Sequence, residues 1–276
     1  AGIGADDHPF IVIQLARTFV SIDRLLDGSG AQAQWRAYAR QRLRPIFERI
    51  GWLPVQGEIE AVALLRETLI RALGRLDDPD VIAEARARFA RGAKTPEALP
   101  AAIRRPVQDT VALHADRDTW DEIRARARAA SEPVERQRLL LALGAVRDPA
   151  LAARTLELAL TQEIPATFAA NLIAAVASEH PELAFEFAVA HEGAVLDRVE
   201  AASRWAFIPT LPASSADSAV AEQVQAYVER SVPPDARQAA AVAMADIRFR
   251  ADVKARQQPV LEAWIRRAAA GELPRS

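Results

Sequence analysis

One pattern occurs twice in the chain, as LGRLDDP at positions 73–79 and as LGAVRDP at positions 143–149. In both copies an aspartate precedes a proline, at Asp78-Pro79 and at Asp148-Pro149. An aspartate side chain accepts hydrogen bonds from the free N–H groups at the start of a helix, and proline is suited to the first helical turn. The pattern therefore predicts that one helix ends and another begins at each copy.

Similar helix breaks occur between and after the two copies, at Asp116-Arg117-Asp118 and at His180-Pro181. Breaks near 79, 118, 149 and 181 give a spacing of 31 to 39 residues along the chain. This spacing, with two helices in each unit, is typical of HEAT, armadillo and tetratricopeptide arrays, in which neighbouring pairs bury each other's apolar faces. The sequence therefore predicts an all-α fold, a curved α-solenoid of HEAT/armadillo-like antiparallel helix pairs.

Residues that favour helices dominate the rest of the chain, and period-two strand patterns are scarce. We predict helices over 9–26, 31–49, 57–75, 79–91, 96–113, 118–130, 132–145, 149–161, 165–178, 181–190, 194–207, 216–230, 234–250 and 252–270. Two prolines and two serines between 209 and 215 predict the longest loop. We expect a single domain over 1–276, with a possible minor subdivision near 209–216.

The composition excludes several classes of function. The chain of 276 residues has 35 basic and 37 acidic residues, and this balance argues against nucleic acid as a partner. No stretch approaches the roughly 18 to 20 apolar residues of a membrane span. The chain has no cysteine, and Ala1 to Asp7 lack a basic region followed by an apolar run. We therefore expect a cytoplasmic protein, although a periplasmic protein can also lack cysteine.

Motifs for catalysis are absent from the sequence. None of the four histidines has another within three to five residues, and His191-Glu192 lacks the second histidine of a zinc-protease helix. The sequence contains no glycine-rich phosphate loop, no nucleophile elbow and no thiol. Four aromatic residues at helical intervals are interpreted as core rather than as a base-stacking platform: Trp35, Tyr38, Phe47 and Trp52. We therefore predict that this chain alone is inactive and binds no cofactor.

An ordered series of short motifs runs along most of the chain. In chain order it comprises Trp35-x-x-Tyr38, Leu43-x-Pro45, Ile50-Gly51-Trp52, Gly57-Glu58, Leu65-Arg66, Ala83-x-x-Arg86-x-x-Phe89, the segment from Glu135 to Gly144, Asp148-Pro149 and Trp264. The order and spacing of these motifs resemble the C-terminal helical domain of the zinc aminopeptidases that include aminopeptidase N and the endoplasmic reticulum aminopeptidases.

The resemblance implies a curved helical bowl that covers a catalytic domain of the same polypeptide, encloses a chamber, limits substrate length and contacts peptide substrates. The family's His-Glu-x-x-His and Gly-x-Met-Glu-Asn motifs are absent here, so no catalytic or metal-binding residue is carried over. The resemblance therefore places the expected zinc in a catalytic domain that is missing from this chain. The alternative is a free-standing helical-repeat scaffold that binds another protein in its groove.

A peptide that enters such a chamber carries a carboxylate at its far end, and a guanidinium group suits a carboxylate better than an ammonium group does. The candidates are Arg136 and Arg138, which lie in the segment that best matches the family. They are separated by about 200° around a helix, so at most one points squarely inward. The alternative is that both are solvated or paired with Glu132 or Glu135.

Overall fold

The computed structural model describes residues 8–93, 95 and 98–269, and this part of the chain contains helices and turns but no strand. The all-α prediction is therefore confirmed. The α-helices are α1 (Pro9–Leu25), α2 (Gln32–Ile50), α3 (Glu60–Arg75), α4 (Pro79–Gly92), α5 (Ala101–Leu113), α6 (Arg117–Ala129), α7 (Pro133–Leu143), α8 (Pro149–Ala159), α9 (Ala166–Ala177), α10 (Pro181–Ala190), α11 (Glu192–Leu196), α12 (Arg204–Thr210), α13 (Ser218–Ser231) and α14 (Gln238–Ala269). The predicted helix ends at 96 and 270 and the segment Ala1 to Asp7 lie outside the described residues.

The chain divides into two compact units. Unit 1 contains residues up to 111 together with those from 257 onward, and unit 2 contains residues 112–256. The prediction of a single domain over 1–276, with a possible minor subdivision near 209–216, stays a prediction.

In unit 1, α1 packs on α2 and α3, and α3 packs on α2 and α4. The final part of α14 belongs to this unit, because Trp264 contacts both Trp35 and Tyr38 at ring-centroid distances of 6.4 and 5.5 Å. The indole of Trp35 donates a hydrogen bond to the Phe19 carbonyl at 3.0 Å. Trp35 and Phe47 are buried, which confirms their predicted place in the core, whereas Tyr38 and Trp52 are half-buried.

Three arginines on α2 hold the corner between α3 and α4. Arg36 forms ion pairs with Asp23 and Asp77, and Arg40 donates hydrogen bonds to backbone carbonyls at the same corner. Asp77 has a positive φ of 59°, in the left-handed region that ends helices. Arg44 binds the carboxylate of Asp78 through two nitrogens. The corner is therefore fixed by charge as well as by packing.

In unit 2, several helices pack on the next helix in the chain or on the helix after that. The contacts join α6 with α7, α7 with α9, α8 with α9 and α10, and α9 with α10. Trp120 of α6 is fully buried, and its indole donates a hydrogen bond to the hydroxyl of Thr155 on α8 at 2.9 Å. This buried hydrogen bond joins α6 to α8 within unit 2.

Both aspartates of the repeated pattern cap helices, as predicted. The Asp78 carboxylate accepts a hydrogen bond from the Val81 N–H at 3.1 Å. The Asp148 carboxylate accepts hydrogen bonds from the N–H groups of Ala150 and Leu151 at 2.8 and 3.2 Å. The two caps differ in their surroundings, because Asp78 is fully buried and Asp148 is exposed.

The glycine of the repeated pattern has a role that the sequence did not reveal. Gly74 lies inside α3, one residue before its end at Arg75, where the predicted helix over 57–75 also ends. A Cβ atom on Gly74 would lie 2.7 Å from the Thr110 side chain, and one on Gly144 would lie 2.7 Å from the Cβ atom of Ala175. In each copy, glycine therefore allows close contact with a residue more than 30 positions further along the chain.

Two predictions about residues 194–215 are wrong. The predicted helix over 194–207 is interrupted after α11, where Arg198 donates hydrogen bonds to the carbonyl of Ala194 in α11 and to that of Leu160 at the end of α8. The predicted loop at Pro209 and Pro212, with Ser214 and Ser215, is mostly helical. It consists of the end of α12 and a 3₁₀ turn over Leu211–Ser214.

Burial explains why these prolines lie in helical turns. Pro209 and Pro212 are both buried, and the 3₁₀ turn packs on α9 and α10. Pro212 occupies the start of that turn, where a missing N–H costs nothing. The predicted break between 250 and 252 is also wrong, since α14 runs without interruption from Gln238 to Ala269.

Candidate functional site

The two predicted peptide-contacting arginines lie on α7, and each donates to a different partner. Arg138 forms an ion pair with Glu135 one turn earlier, at 2.6 Å. Arg136 donates a hydrogen bond to the backbone carbonyl of Glu163 at 3.2 Å. Arg136 and Arg138, which are about 200° apart around the helix, therefore lie in two separate environments. Pairing with Glu135, the alternative considered for both, occurs for Arg138.

Glu163 lies between α8 and α9 and binds two further arginines. Arg124 contacts its two carboxylate oxygens at 3.1 and 2.5 Å. Arg128 donates to the same two oxygens, through Nε at 2.8 Å and through Nη2. The Glu163 side chain is only 14% exposed. The hydrogen bonds from Arg124, reinforced by those from Arg128, lower the pKa of Glu163 to about 2.

The sequence alone does not reveal this pair, because Arg124, Arg126 and Arg128 alternate around the helix and do not form one stripe. Arg124 and Arg128 are four residues apart and therefore share a face of α6. Arg126 points elsewhere and forms an ion pair with Glu122 on its own helix. The spacing of four was the available signal, but the distant partner at Glu163 was not visible in it.

A fourth arginine adjoins this group through Trp120. The guanidinium carbon of Arg154 lies 4.2 Å from the centre of the Trp120 ring, and that of Arg124 lies 5.6 Å from it. Arg154 also forms an ion pair with Asp121 at 2.9 Å, while its buried Nη1 has no hydrogen-bond partner within the described chain. We call Arg124, Arg128, Arg136 and Arg154 the arginine cluster.

The arginine cluster contains four guanidinium groups and two associated carboxylates, those of Glu163 and Asp121, so it is positively charged. It already binds a carboxylate in bidentate fashion, which is the geometry that guanidinium groups favour. Within residues 8–93, 95 and 98–269, no three histidine or acidic side chains converge as metal ligands. The described helices include none long and apolar enough to cross a membrane.

Across the described residues, these features define an all-helical protein in which Arg124 and Arg128 hold the carboxylate of Glu163. The sequence profile of the family described as ERAP1-like C-terminal domain matches residues 2–249. The match covers most of the chain, so the chain belongs to this family, and the resemblance seen in the sequence is confirmed. Trp264, one of the motifs in that resemblance, lies beyond the matched residues.

Proposed function

We propose that this chain is the C-terminal lid domain of a zinc-dependent aminopeptidase, an enzyme that removes N-terminal residues from peptides. The family match over residues 2–249 is the observation that carries the proposal. In this proposal both units belong to one domain over 1–276, and its helix pairs form a curved α-solenoid. The solenoid shapes substrate access and covers a catalytic domain of the same polypeptide. That catalytic domain binds the zinc, and the protein is cytoplasmic.

This proposal makes a direct claim about the gene. The coding region upstream of this chain should encode a His-Glu-x-x-His motif, a more distant glutamate ligand and a Gly-x-Met-Glu-Asn motif. Sequencing that region is the simplest test. An upstream region without a zinc motif would overturn the aminopeptidase assignment.

Within this function, we propose that Arg136 and Arg138 contact the carboxylate at the far end of a long peptide. The neighbouring arginines support this proposal, because Arg124 and Arg128 already hold the carboxylate of Glu163. Arg136 retains donors beyond the one that it gives to the Glu163 carbonyl, since a guanidinium group has five. Arg138 would exchange Glu135 for the peptide.

The test is steady-state kinetics of the full-length enzyme with a ten-residue peptide and with a single-residue reporter amide. Arg136→Gln and Arg138→Gln should each raise KM for the long peptide by about tenfold, which corresponds to ~1.4 kcal/mol, and should leave the reporter unchanged. Arg126→Gln is the matched control, since Arg126 is paired with Glu122 on α6. Equal effects on both substrates, or none on either, would remove Arg136 and Arg138 from substrate binding.

A further inference from the structure

A groove between α10 and α13 in unit 2 is separate from the contacts of the arginine cluster described above. It is an open groove with a volume of about 440 Å³. Its lining consists of Phe185, Glu186, Val189 and Ala190 from α10 and Gln223, Ala226, Tyr227 and Arg230 from α13. The size suits a few residues of peptide rather than a folded domain.

The floor of the groove is apolar. The rings of Phe185 and Tyr227 meet edge to face with centroids 6.1 Å apart, and both residues are buried. The Tyr227 hydroxyl donates a hydrogen bond to the Glu192 carboxylate at 2.9 Å, so its proton is already engaged. Burial, together with this hydrogen bond, raises the pKa of Tyr227, which keeps the phenol neutral. The floor therefore favours an apolar side chain.

The rims of the groove carry opposite charges, on Arg230 of α13 and Glu186 of α10. Arg230 is exposed, and its guanidinium carbon lies 5.6 Å from the centre of the Tyr227 ring. Within the described residues Arg230 forms no ion pair, and neither does the exposed Glu186 across the groove. Two other exposed arginines of unit 2, Arg248 and Arg256, are each paired with an acidic residue.

We propose that this groove binds a peptide segment of a partner protein that presents a large aliphatic or aromatic side chain next to an acidic one. The apolar side chain would pack on Phe185 and Tyr227. The acidic side chain would bind Arg230, whose guanidinium group is oriented by the ring and offers a bidentate fork. This proposal goes beyond the lid function and does not rest on it, because it concerns a different surface and an internal peptide segment.

The experiment uses the full chain labelled with ¹⁵N and titrated with short peptides blocked at both ends, so that no terminal charge contributes. The probe is acetyl-Gly-Leu-Glu-Gly amide. Two reference peptides replace its Leu by Ala or its Glu by Lys. The probe should shift the amide signals of the groove residues saturably, with a Kd at least tenfold lower than that of either reference peptide.

Substitutions in the groove distinguish the contribution of charge to peptide binding from the contribution of shape. Arg230→Glu should reverse the preference, so that the lysine peptide binds at least tenfold more tightly than the probe. Ala226→Trp, at an exposed lining position, should abolish binding of both by filling the groove. Arg256→Glu is the matched control for added negative charge and should retain the wild-type preference.

Two results would overturn the proposal. One is the absence of saturable shifts with the probe. The other is an unchanged preference in the Arg230→Glu variant, provided that its circular dichroism matches that of the parent. Neither result bears on the aminopeptidase assignment, which depends on the upstream zinc motif and on the kinetics of the arginine variants on α7.

Discussion

Replacing Asp78 by alanine removes two interactions at once, whereas replacing Asp148 removes one. Asp78 caps α4 and also binds Arg44, with oxygen–nitrogen distances of 3.0 and 2.6 Å. Asp148 caps α8 in the same way, but it is exposed. The two equivalent positions of the repeated pattern should therefore differ in their contribution to stability.

The magnitudes follow from the contacts. Loss of an N-cap costs about 1 kcal/mol, and this is the expected cost of Asp148→Ala. Loss of a hydrogen-bonded charged partner costs about 1.5–3 kcal/mol. The lower end applies to Asp78, because Arg44 is 34% exposed and retains its ion pair with Asp80. Asp78→Ala should therefore cost about 2.5 kcal/mol in total.

A third variant separates the loss of the Asp78 charge from the loss of the N-cap. Asp78→Asn keeps a good N-cap and loses the negative charge, so it should cost about 1.5 kcal/mol. The assay is urea unfolding followed by tryptophan fluorescence and far-ultraviolet circular dichroism, with each variant compared on the transition of its own unit. Equal losses for Asp78→Ala and Asp148→Ala, with unchanged m-values, would refute the role assigned to Arg44.

Two further predictions concern unit 2. Gly144→Ala should lower the free energy of unfolding in urea by about 1–3 kcal/mol, because the added methyl group would lie 2.7 Å from the Cβ atom of Ala175; unchanged stability would show that this contact is loose. Glu163→Gln should flatten the loss of stability in acid. The pKa of Glu163 is lowered to about 2 by hydrogen bonds from Arg124 and Arg128, so its contribution is present above the unfolded value of about 4.3 and is lost as the pH falls toward 2. Urea titrations between pH 6 and pH 2 that give parallel curves for parent and variant would contradict this.

Local chemistry made much of this fold predictable from the sequence. The caps at Asp78 and Asp148 act on N–H groups two or three residues away, and the start of α10 at Pro181 depends on its own first turn. Such signals lie within one helical turn, so they can be read directly. The ordered motifs that resemble the aminopeptidase domain were readable for a different reason, since they extend over most of the chain and the family match covers residues 2–249.

Contacts between distant parts of the chain decided the rest. The α12 region around Pro209 is helical because its side chains are buried, which outweighs the local preference of proline for loops. Arg124 and Arg128 form a carboxylate site only because α8 ends where Glu163 can reach them, 35 to 39 residues away. Gly144 is required by Ala175 on a helix that packs across it. These features depend on side chains meeting in three dimensions, and no sequence window contains both partners.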